Sequence, residues 1–312
     1  MNNTAITTLG DVADRVDKLS KNCFDQTIPV SDISFNGLDE ITIAGEKHEM
    51  REMAQRSFCY RLGTPHQYLR KCPVELQAEN MNHWIKKEKN EKLFLRLDGN
   101  DVRAMFTEKY VPIDNFEVLE RIYALGYNDH SEVQAYLDDQ FMSLTLLDGK
   151  KKFDINGDTF KPGISFSNSE VGLASLSIAA MLLRLVCTNG MISTSDITSS
   201  HKHISGKVLD KFPEIIEKVA FEVAHNRDQF KLSLESPVDN PEATLESFNR
   251  QFGLSPVEKD AVTWAWPFEA GNNLFSVVNC YTRGSQMEGL SASSSFKLQK
   301  TGGQILSMLK PQ

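Results

Sequence analysis

The N-terminal part of the chain changes from mixed polarity to a helical pattern of apolar residues. From Glu49 to Lys87 the apolar side chains recur at spacings that place them on one helix face: Met50, Met53, Ala54, Phe58 and Leu62. Pro65 and Pro73 are well placed to begin further helices, because proline fits the first helical turn. Before this stretch there is one strand candidate, Ile41 to Ala44. The pattern predicts a lead-in and a helical lobe over residues 1–91.

The next segment, residues 92–207, has mainly the alternating pattern of antiparallel strands, with one helix predicted at Phe116 to Leu125. Its clearest feature is a hairpin, in which alternating leucines lead into the turn Asp98-Gly99-Asn100-Asp101 and a second apolar run follows. Further turns are predicted at Asp148-Gly149 and Asn189-Gly190. The segment therefore predicts a central antiparallel sheet.

The buried centre of the fold is predicted between Pro162 and Ser200, where charged residues are scarce. Within it, the secondary structure of Ser175 to Val186 stays open. The stretch Ala179 to Leu183 suits a helix, whereas its flanks suit strands.

Helical signals return in residues 208–312. Asn240-Pro241 and Ser255-Pro256 each combine a helix cap with proline at the first position, and Ser255 with Glu258 makes a capping box. Further helices are predicted at Asn273 to Tyr281 and Phe296 to Leu309. These elements predict an α+β fold in which a central antiparallel sheet is flanked by helical segments, with the three segments forming one compact domain.

Composition and charge limit the function classes. The formal net charge is -8 and the pI is about 5.5, so the field of the whole molecule repels nucleic acid, and nucleic-acid binding requires a local basic patch. The first twenty residues lack the apolar stretch of a signal peptide, and the longest apolar run, Ile178 to Cys187, is too short to cross a bilayer. A cytoplasmic protein without membrane contact is expected. The five cysteines are widely spaced, so reduced thiols are expected.

The hairpin carries the most informative charges. If Gly99 and Asn100 form its turn, Leu97 pairs with Val102, Arg96 with Arg103 and Phe94 with Met105. One face is then apolar, and the other places two arginines directly opposite each other. Such a pair repels unless a negative charge lies nearby.

Two interpretations of this arginine pair stay open. Asp98 and Asp101, the next pair along the hairpin, could neutralise it and make it structural. Alternatively, this face binds the phosphate backbone of a nucleic acid. Three neighbouring residues would take part in the binding: Lys92, Lys109 and Tyr110. The basic runs Lys86-Lys87-Glu88-Lys89 and Lys150-Lys151-Lys152 are typical of solvated loops, and they bear on binding only if the fold gathers them beside the hairpin.

Arg184 is a second candidate, because it lies in an apolar stretch where an unpaired guanidinium is costly to bury. It needs a carboxylate, backbone carbonyls or an anionic ligand, and Glu170 is the nearest acidic residue in the stretch. A structural ion pair is the expected role. Binding of a nucleic-acid phosphate is the alternative.

Signatures of enzymes are scarce. The sequence has no phosphate-binding Gly-x-x-x-x-Gly-Lys-Ser/Thr loop, no Gly-x-Gly-x-x-Gly, no His-Glu-x-x-His and no Gly-x-Ser-x-Gly. His201-Lys202-His203 is the one histidine cluster, and a polar loop is a simpler explanation for it than a metal site. No metal and no cofactor are expected, and a non-enzymatic function is favoured.

Two stretches of the chain resemble the domain-of-unknown-function 932 (DUF932) family of phages, prophages and plasmids. The first combines Leu95 to Gly99, Val102 to Ala104 and Lys109 to Asn115, and the second runs from Pro162 to Gly172 and from Arg184 to Met191. Met53 to Leu69 and Asn273 to Leu309 are similar as well, so the resemblance covers most of the chain. The family has no established reaction, but its setting among genes for recombination and restriction evasion implies nucleic-acid transactions.

Three functions follow as hypotheses. The first is a non-enzymatic phage or plasmid protein that binds single-stranded DNA and promotes strand annealing as a homo-oligomer. The second is an anti-defence or regulatory protein that presents its acidic surface to a host protein. The third is an enzyme with an unrecognised site, for which the candidate residues are His201, His203, Glu170 and Arg184.

Overall fold

The computed structural model describes residues 6–147, 152–155, 157–185, 189–192, 199–201 and 228–309. Within these residues, strands form two separate sheets and helices cover them, which confirms the α+β class. Among the same residues, no helix is both long and apolar enough to cross a membrane.

Among the described residues, the first sheet has six strands in the spatial order β2-β6-β7-β5-β4-β3. They are β2 (Cys23–Pro29), β3 (Ile33–Phe35), β4 (Glu40–Ile43), β5 (Glu46–Met50), β6 (Lys92–Asp98) and β7 (Asp101–Thr107). Helices α2 (Glu52–Leu62), α3 (His66–Leu69) and α4 (Val74–Ile85) belong to the same lobe. Buried Phe58, Met81 and Leu95 join these helices and the sheet in one hydrophobic core.

The second sheet has eight strands among the described residues, with the central order β1-β8-β9-β11-β12-β13. They are β1 (Ile6–Thr8), β8 (Glu132–Leu137), β9 (Met142–Leu147), β10 (Phe153–Ile155), β11 (Asp158–Asn168), β12 (Leu176–Arg184), β13 (Asn189–Ile192) and β14 (Ser199–His201). Helices α1 (Leu9–Ser20) and α5 (Asn115–Ala124) pack on one face, where Val12, Ile122 and Phe166 share a core.

C-terminal helices pack on the other side of the second sheet. Residues 228–235 are helical, and α6 (Pro241–Gln251), α7 (Pro256–Glu269), α8 (Leu274–Gly284) and α9 (Ala292–Ser307) follow. Tyr281, Leu298 and Leu182 lie in one core that joins these helices to β12. The predicted helices of this region, and the cap at Ser255, are therefore confirmed.

Three predictions of secondary structure need correction or completion. The predicted hairpin forms, but it belongs to the first sheet, because β6 pairs with β2 along its whole length. A boundary at residue 92 therefore divides a sheet. Within the stretch Ser175 to Val186, whose secondary structure the sequence left open, Leu176–Arg184 is a strand, and its side chains pack against helices on both faces. Asn189-Gly190 begins β13 rather than forming the turn before it. The predicted turn at Asp148-Gly149 lies outside the described residues.

Candidate nucleic-acid interface

The hairpin arginines are not opposite each other. Leu97 pairs with Val102 as predicted, but Arg96 pairs with Ala104, because a β-bulge makes Arg103 an extra residue on β7. Beyond the bulge Phe94 pairs with Phe106 instead of Met105. The predicted register is therefore correct next to the turn and wrong by one residue after it.

Arg96 is 4% exposed and is bound by carboxylates. Its Nε donates to Asp25 Oδ1 at 2.9 Å, its Nη2 forms an ion pair with Asp114, and its Nη1 donates to the carbonyl of Glu170 at 3.2 Å. Burial alone would lower the pKa of Arg96, but Asp114 and Asp25 outweigh burial and raise it. The guanidinium is thus permanently charged, and its donors are used inside the protein.

Arg103 is also 4% exposed and has a carboxylate partner. Its Nη2 donates to Glu170 Oε2 and to the carbonyl of Asp139, both at 3.1 Å, and its Nη1 donates to Cys23 Sγ at 3.1 Å. The second oxygen of Glu170 accepts the backbone N–H of Asn115 at 2.8 Å. Both hairpin arginines are therefore structural in their contacts, and this geometry does not support the phosphate-binding role predicted for them.

The carboxylates that neutralise these arginines are not the predicted ones. Asp98 and Asp101 instead accept hydrogen bonds from Arg51, at 2.6 and 2.9 Å. Arg51 precedes α2, so the ion pairs tie the hairpin turn to the helical lobe.

Arg184 forms the structural ion pairs that its apolar neighbours required. Its Nη2 lies 2.8 Å from Asp158 and its Nη1 lies 2.8 Å from Glu269. Glu170, the nearest acidic residue in sequence, binds Arg103 instead. The expectation of an ion pair is confirmed, and its partner is corrected.

The remaining predicted residues are more accessible. Lys92, at the start of β6, and Lys109, after β7, are exposed. Tyr110 is half-buried, and its ring stacks on Phe106 with centroids 3.8 Å apart and planes 4° apart. Burial raises the pKa of Tyr110 to about 12, so the phenol stays protonated at neutral pH.

Lys109 and Tyr110 line an open cleft of about 490 Å³ between the hairpin and α2, which we call the hairpin cleft. Its other lining residues are Ser57, Tyr60, Arg61, Met105, Phe106, Thr107, Val171 and Gly172. Tyr60 is 92% exposed, which is unusual for a large aromatic side chain. The cleft therefore presents an accessible ring, a stacked pair of rings and a lysine.

A second cleft of about 360 Å³ adjoins the first, because Arg61 lines both. The other residues of this lysine cleft are Leu62, Trp84, Lys87, Glu88 and Lys89. Trp84 is 41% exposed, and Lys87 Nζ lies 4.6 Å from the centre of its ring. The fold thus places Lys87 and Lys89 in a cleft that shares Arg61 with the hairpin cleft, so this basic run can contribute to a binding surface next to the hairpin. We call the two clefts together the Arg61 groove.

Arg61 is held at the junction by Glu88. Its Nε and Nη2 donate to the two carboxylate oxygens of Glu88, at 2.8 and 2.6 Å. The hydrogen bond from Arg61 is the main reason that the pKa of Glu88 falls to about 2. This bidentate contact fixes the plane of the guanidinium between the two clefts.

Protonation of Glu88 is expected to destabilise the protein only in acid. Because its pKa is lower in the folded than in the unfolded chain, its contribution to stability is complete above about pH 4.5 and is lost as the pH falls toward 2. The urea midpoints of wild type and Glu88→Gln should therefore differ at pH 7 and converge as the pH falls through this range. A constant difference would contradict the assignment.

Gly172 supports the aromatic wall of the hairpin cleft. Its φ is +82°, and a Cβ there would lie 2.8 Å from Phe106 Cε1. Gly172→Ala is expected to lower the free energy of unfolding by about 1–3 kcal/mol, through backbone strain and this contact. Gly126→Ala is the matched control, because its φ is +94° and no atom lies within 4 Å of the added Cβ. In urea unfolding, equal losses in both variants would show that Phe106 tolerates the methyl group.

Of the four candidates for an enzymatic site, the two whose side chains the structure describes, Glu170 and Arg184, do not form a common site. Glu170 and Arg184 have different ion-pair partners, and the side chain of His201, like Lys202 and His203, lies outside the described residues. Among the residues that the structure describes, no group of three or more His, Cys, Asp or Glu side chains could hold a metal ion. Comparison with protein-family models, with curated proteins and with solved structures gave no match.

Proposed function

We propose that this protein binds single-stranded nucleic acid in the Arg61 groove. The observation that carries the proposal is the combination of cations and accessible aromatic rings along the two clefts. Arg61, Lys87, Lys89 and Lys109 are accompanied by one carboxylate, Glu88, so the lining has a formal charge of +3. This local charge contrasts with the net charge of -8 for the whole chain.

Such a surface suits a single strand better than a duplex. Unpaired bases stack on aromatic side chains, while exposed cations follow the phosphates. Tyr60 and Trp84 lie in different clefts, and both rings are accessible. In a duplex the bases are already stacked, so it would gain only the charge contacts.

The resemblance to DUF932 proteins of phages and plasmids supports the same direction. We extend the proposal to strand annealing, because a strand held by its phosphates and by stacking keeps its base-pairing edges available to a complement. Accelerated pairing of two complementary oligonucleotides by the protein would support this extension. Binding without acceleration would limit the function to strand binding.

The charge of the groove can be tested by fluorescence anisotropy with labelled single-stranded and duplex DNA across a salt series. Each phosphate contact contributes about 0.7 to the slope of log K against log salt for a single strand. Replacing Lys87, Lys89 and Lys109 with glutamine should therefore reduce the slope by about 2 and weaken binding.

A charge-matched variant provides the control. Lys18, Lys231 and Lys259 are exposed on other helices and line neither cleft, so their replacement with glutamine should leave the slope nearly unchanged. Equal effects of the two triple variants would mean that binding follows net charge alone. Absence of binding by the wild type at low salt would rule out the proposed function.

A further inference from the structure

Strand β2 forms one edge of the first sheet and pairs with β6 alone among the described residues. It is seven residues long, and its middle residues, Phe24 to Thr27, are exposed. Natural edge strands are commonly protected by lysine, a bulge or proline, and here only Pro29 at the end of the strand serves in this way. The strand is therefore open to a partner.

Two hydrogen bonds establish which backbone groups of β2 face outward. The N–H of Gly99 donates to the carbonyl of Asn22 at 3.0 Å, and the N–H of Val30 donates to the carbonyl of Glu91 at 2.9 Å. Since hydrogen-bonded pairs alternate along an antiparallel ladder, the even-numbered residues of β2 bond to β6. The backbone groups of Cys23, Asp25 and Thr27 thus point away from the sheet.

The exposure of Asp25 agrees with this alternation. The residue as a whole is exposed, although only 27% of its side chain is accessible because it binds Arg96. The accessible part therefore includes its backbone. The outer edge presents donors and acceptors without placing a free carboxylate in front of them.

We propose that two copies of this chain associate through β2, with the strands antiparallel and the two-fold axis at Gln26. In this register Asp25 exchanges backbone hydrogen bonds with Thr27 of the second copy, and Phe24 lies opposite Ile28 of the second copy. The two six-stranded sheets then form one continuous sheet of twelve strands. Phe24, which is 44% exposed, gains an apolar neighbour.

Other registers are less favourable. An axis at Asp25 places the two Asp25 side chains directly opposite each other, and like charges at this position repel. An axis at Thr27 pairs only the five residues from Asp25 to Pro29 and leaves Cys23 and Phe24 without a strand residue opposite them. The axis at Gln26 keeps the two Asp25 side chains apart and pairs all seven residues of the strand, and Pro29 lies opposite Cys23 only at the two ends of the ladder.

The geometry also favours a closed dimer over an open polymer of many copies. The opposite edge of the sheet, β3, has only three residues, so a head-to-tail contact between β2 and β3 would leave most of β2 unpaired. Pairing of β2 with β2 of a second copy uses the same surface on both copies, so it gives a closed dimer with no free β2 edge. A dimer is therefore the expected assembly, and it does not depend on nucleic-acid binding.

A cysteine at the axis tests this register. In the proposed dimer the two Gln26 residues form a pair without hydrogen bonds, whose Cα atoms are about 4.5 Å apart, within the range for a disulfide. The full-length Gln26→Cys variant should therefore form a covalent dimer at least tenfold faster than wild type under mild oxidation. Lys47→Cys, exposed in the interior strand β5, is the control.

Sedimentation of the protein without oxidant completes the test. Wild type should be dimeric at micromolar concentration, and Gln26→Lys should raise the dissociation constant at least tenfold, since two lysines then face each other at the axis. A wild type that stays monomeric would overturn the proposal. A dimer in which Gln26→Cys links no faster than Lys47→Cys would overturn it as well, because the interface would then lie elsewhere.

Discussion

Replacing Arg96 with methionine is expected to lower the free energy of unfolding by about 3–5 kcal/mol, measured by urea denaturation at pH 7. The guanidinium is 4% exposed and bonds Asp25, Asp114 and the carbonyl of Glu170. Removing it leaves two carboxylates near each other without their common counter-charge. Loss of one partner of a buried ion pair costs more than the pair contributes, because the remaining charge stays desolvated.

Arg56→Met is the matched control for this prediction. Arg56 pairs with Glu52 one helical turn away, and both side chains are more than half exposed. Its replacement should change the free energy of unfolding by less than about 0.5 kcal/mol. If Arg96→Met changed the free energy of unfolding as little as Arg56→Met does, the ion pairs of Arg96 would not be needed to hold the hairpin against α5.

The same variant separates a structural from a binding role for the hairpin. When Arg96→Met is measured under conditions where it remains folded, its affinity for single-stranded DNA should stay close to that of wild type. The hairpin contributes to the Arg61 groove through Met105, Phe106 and Thr107 at the end of β7, and Arg96 does not line it.

The sequence predicted the helices best where a local signal was complete. At Ser255 the backbone N–H donates to Glu258 at 2.8 Å and the hydroxyl accepts the N–H of Glu258 at 3.4 Å, which is the predicted capping box. Helix α1 was missed although Thr8 and Asp11 form a similar box. Aspartate in place of the usual glutamate or glutamine made that signal weaker.

The arginine network could not be predicted because it depends on residues far apart in sequence. A two-residue turn determines the register only while each strand contributes one residue to every pair, and the bulge at Arg103 ends this condition. The partner of Arg103, Glu170, lies 67 residues away and is brought there by the second sheet. Apolar alternation identified the strands but carried no information about which lobe each would join.

The groove was missed for a related reason. The lysines at 87 and 89 have the pattern of a solvated loop, and only the folded chain shows that their cleft shares Arg61 of α2 with the cleft lined by Tyr110. Tyr60 lies in α2 outside the apolar stripe that includes Phe58, and it is exposed while Phe58 is buried. An aromatic residue outside the apolar stripe of a predicted helix was the available signal.

Removing both accessible rings of the groove is expected to weaken binding of single-stranded DNA at least about 30-fold. Stacking of a base on an aromatic side chain contributes about 1–3 kcal/mol, so the double replacement of Tyr60 and Trp84 with alanine should cost about 2–6 kcal/mol. Fluorescence anisotropy at fixed salt measures the loss. The salt dependence should stay unchanged, because the variant keeps every lysine of the groove.

A variant with two exposed aromatic residues replaced elsewhere is the control. Tyr68 and Phe116 are 64% and 47% exposed and line neither cleft, so their replacement with alanine should leave the affinity unchanged. Equal losses of affinity in the two double variants would mean that the rings act through the stability of the fold or through nonspecific hydrophobic contacts.

Tryptophan fluorescence reports the contact directly. The chain has three tryptophans, and replacing Trp264 and Trp266 with phenylalanine leaves Trp84 as the sole emitter. If a base stacks on this ring, added oligonucleotide should quench its emission with the midpoint seen by anisotropy. Binding without quenching would mean that no base stacks on Trp84 and would contradict the role proposed for the lysine cleft.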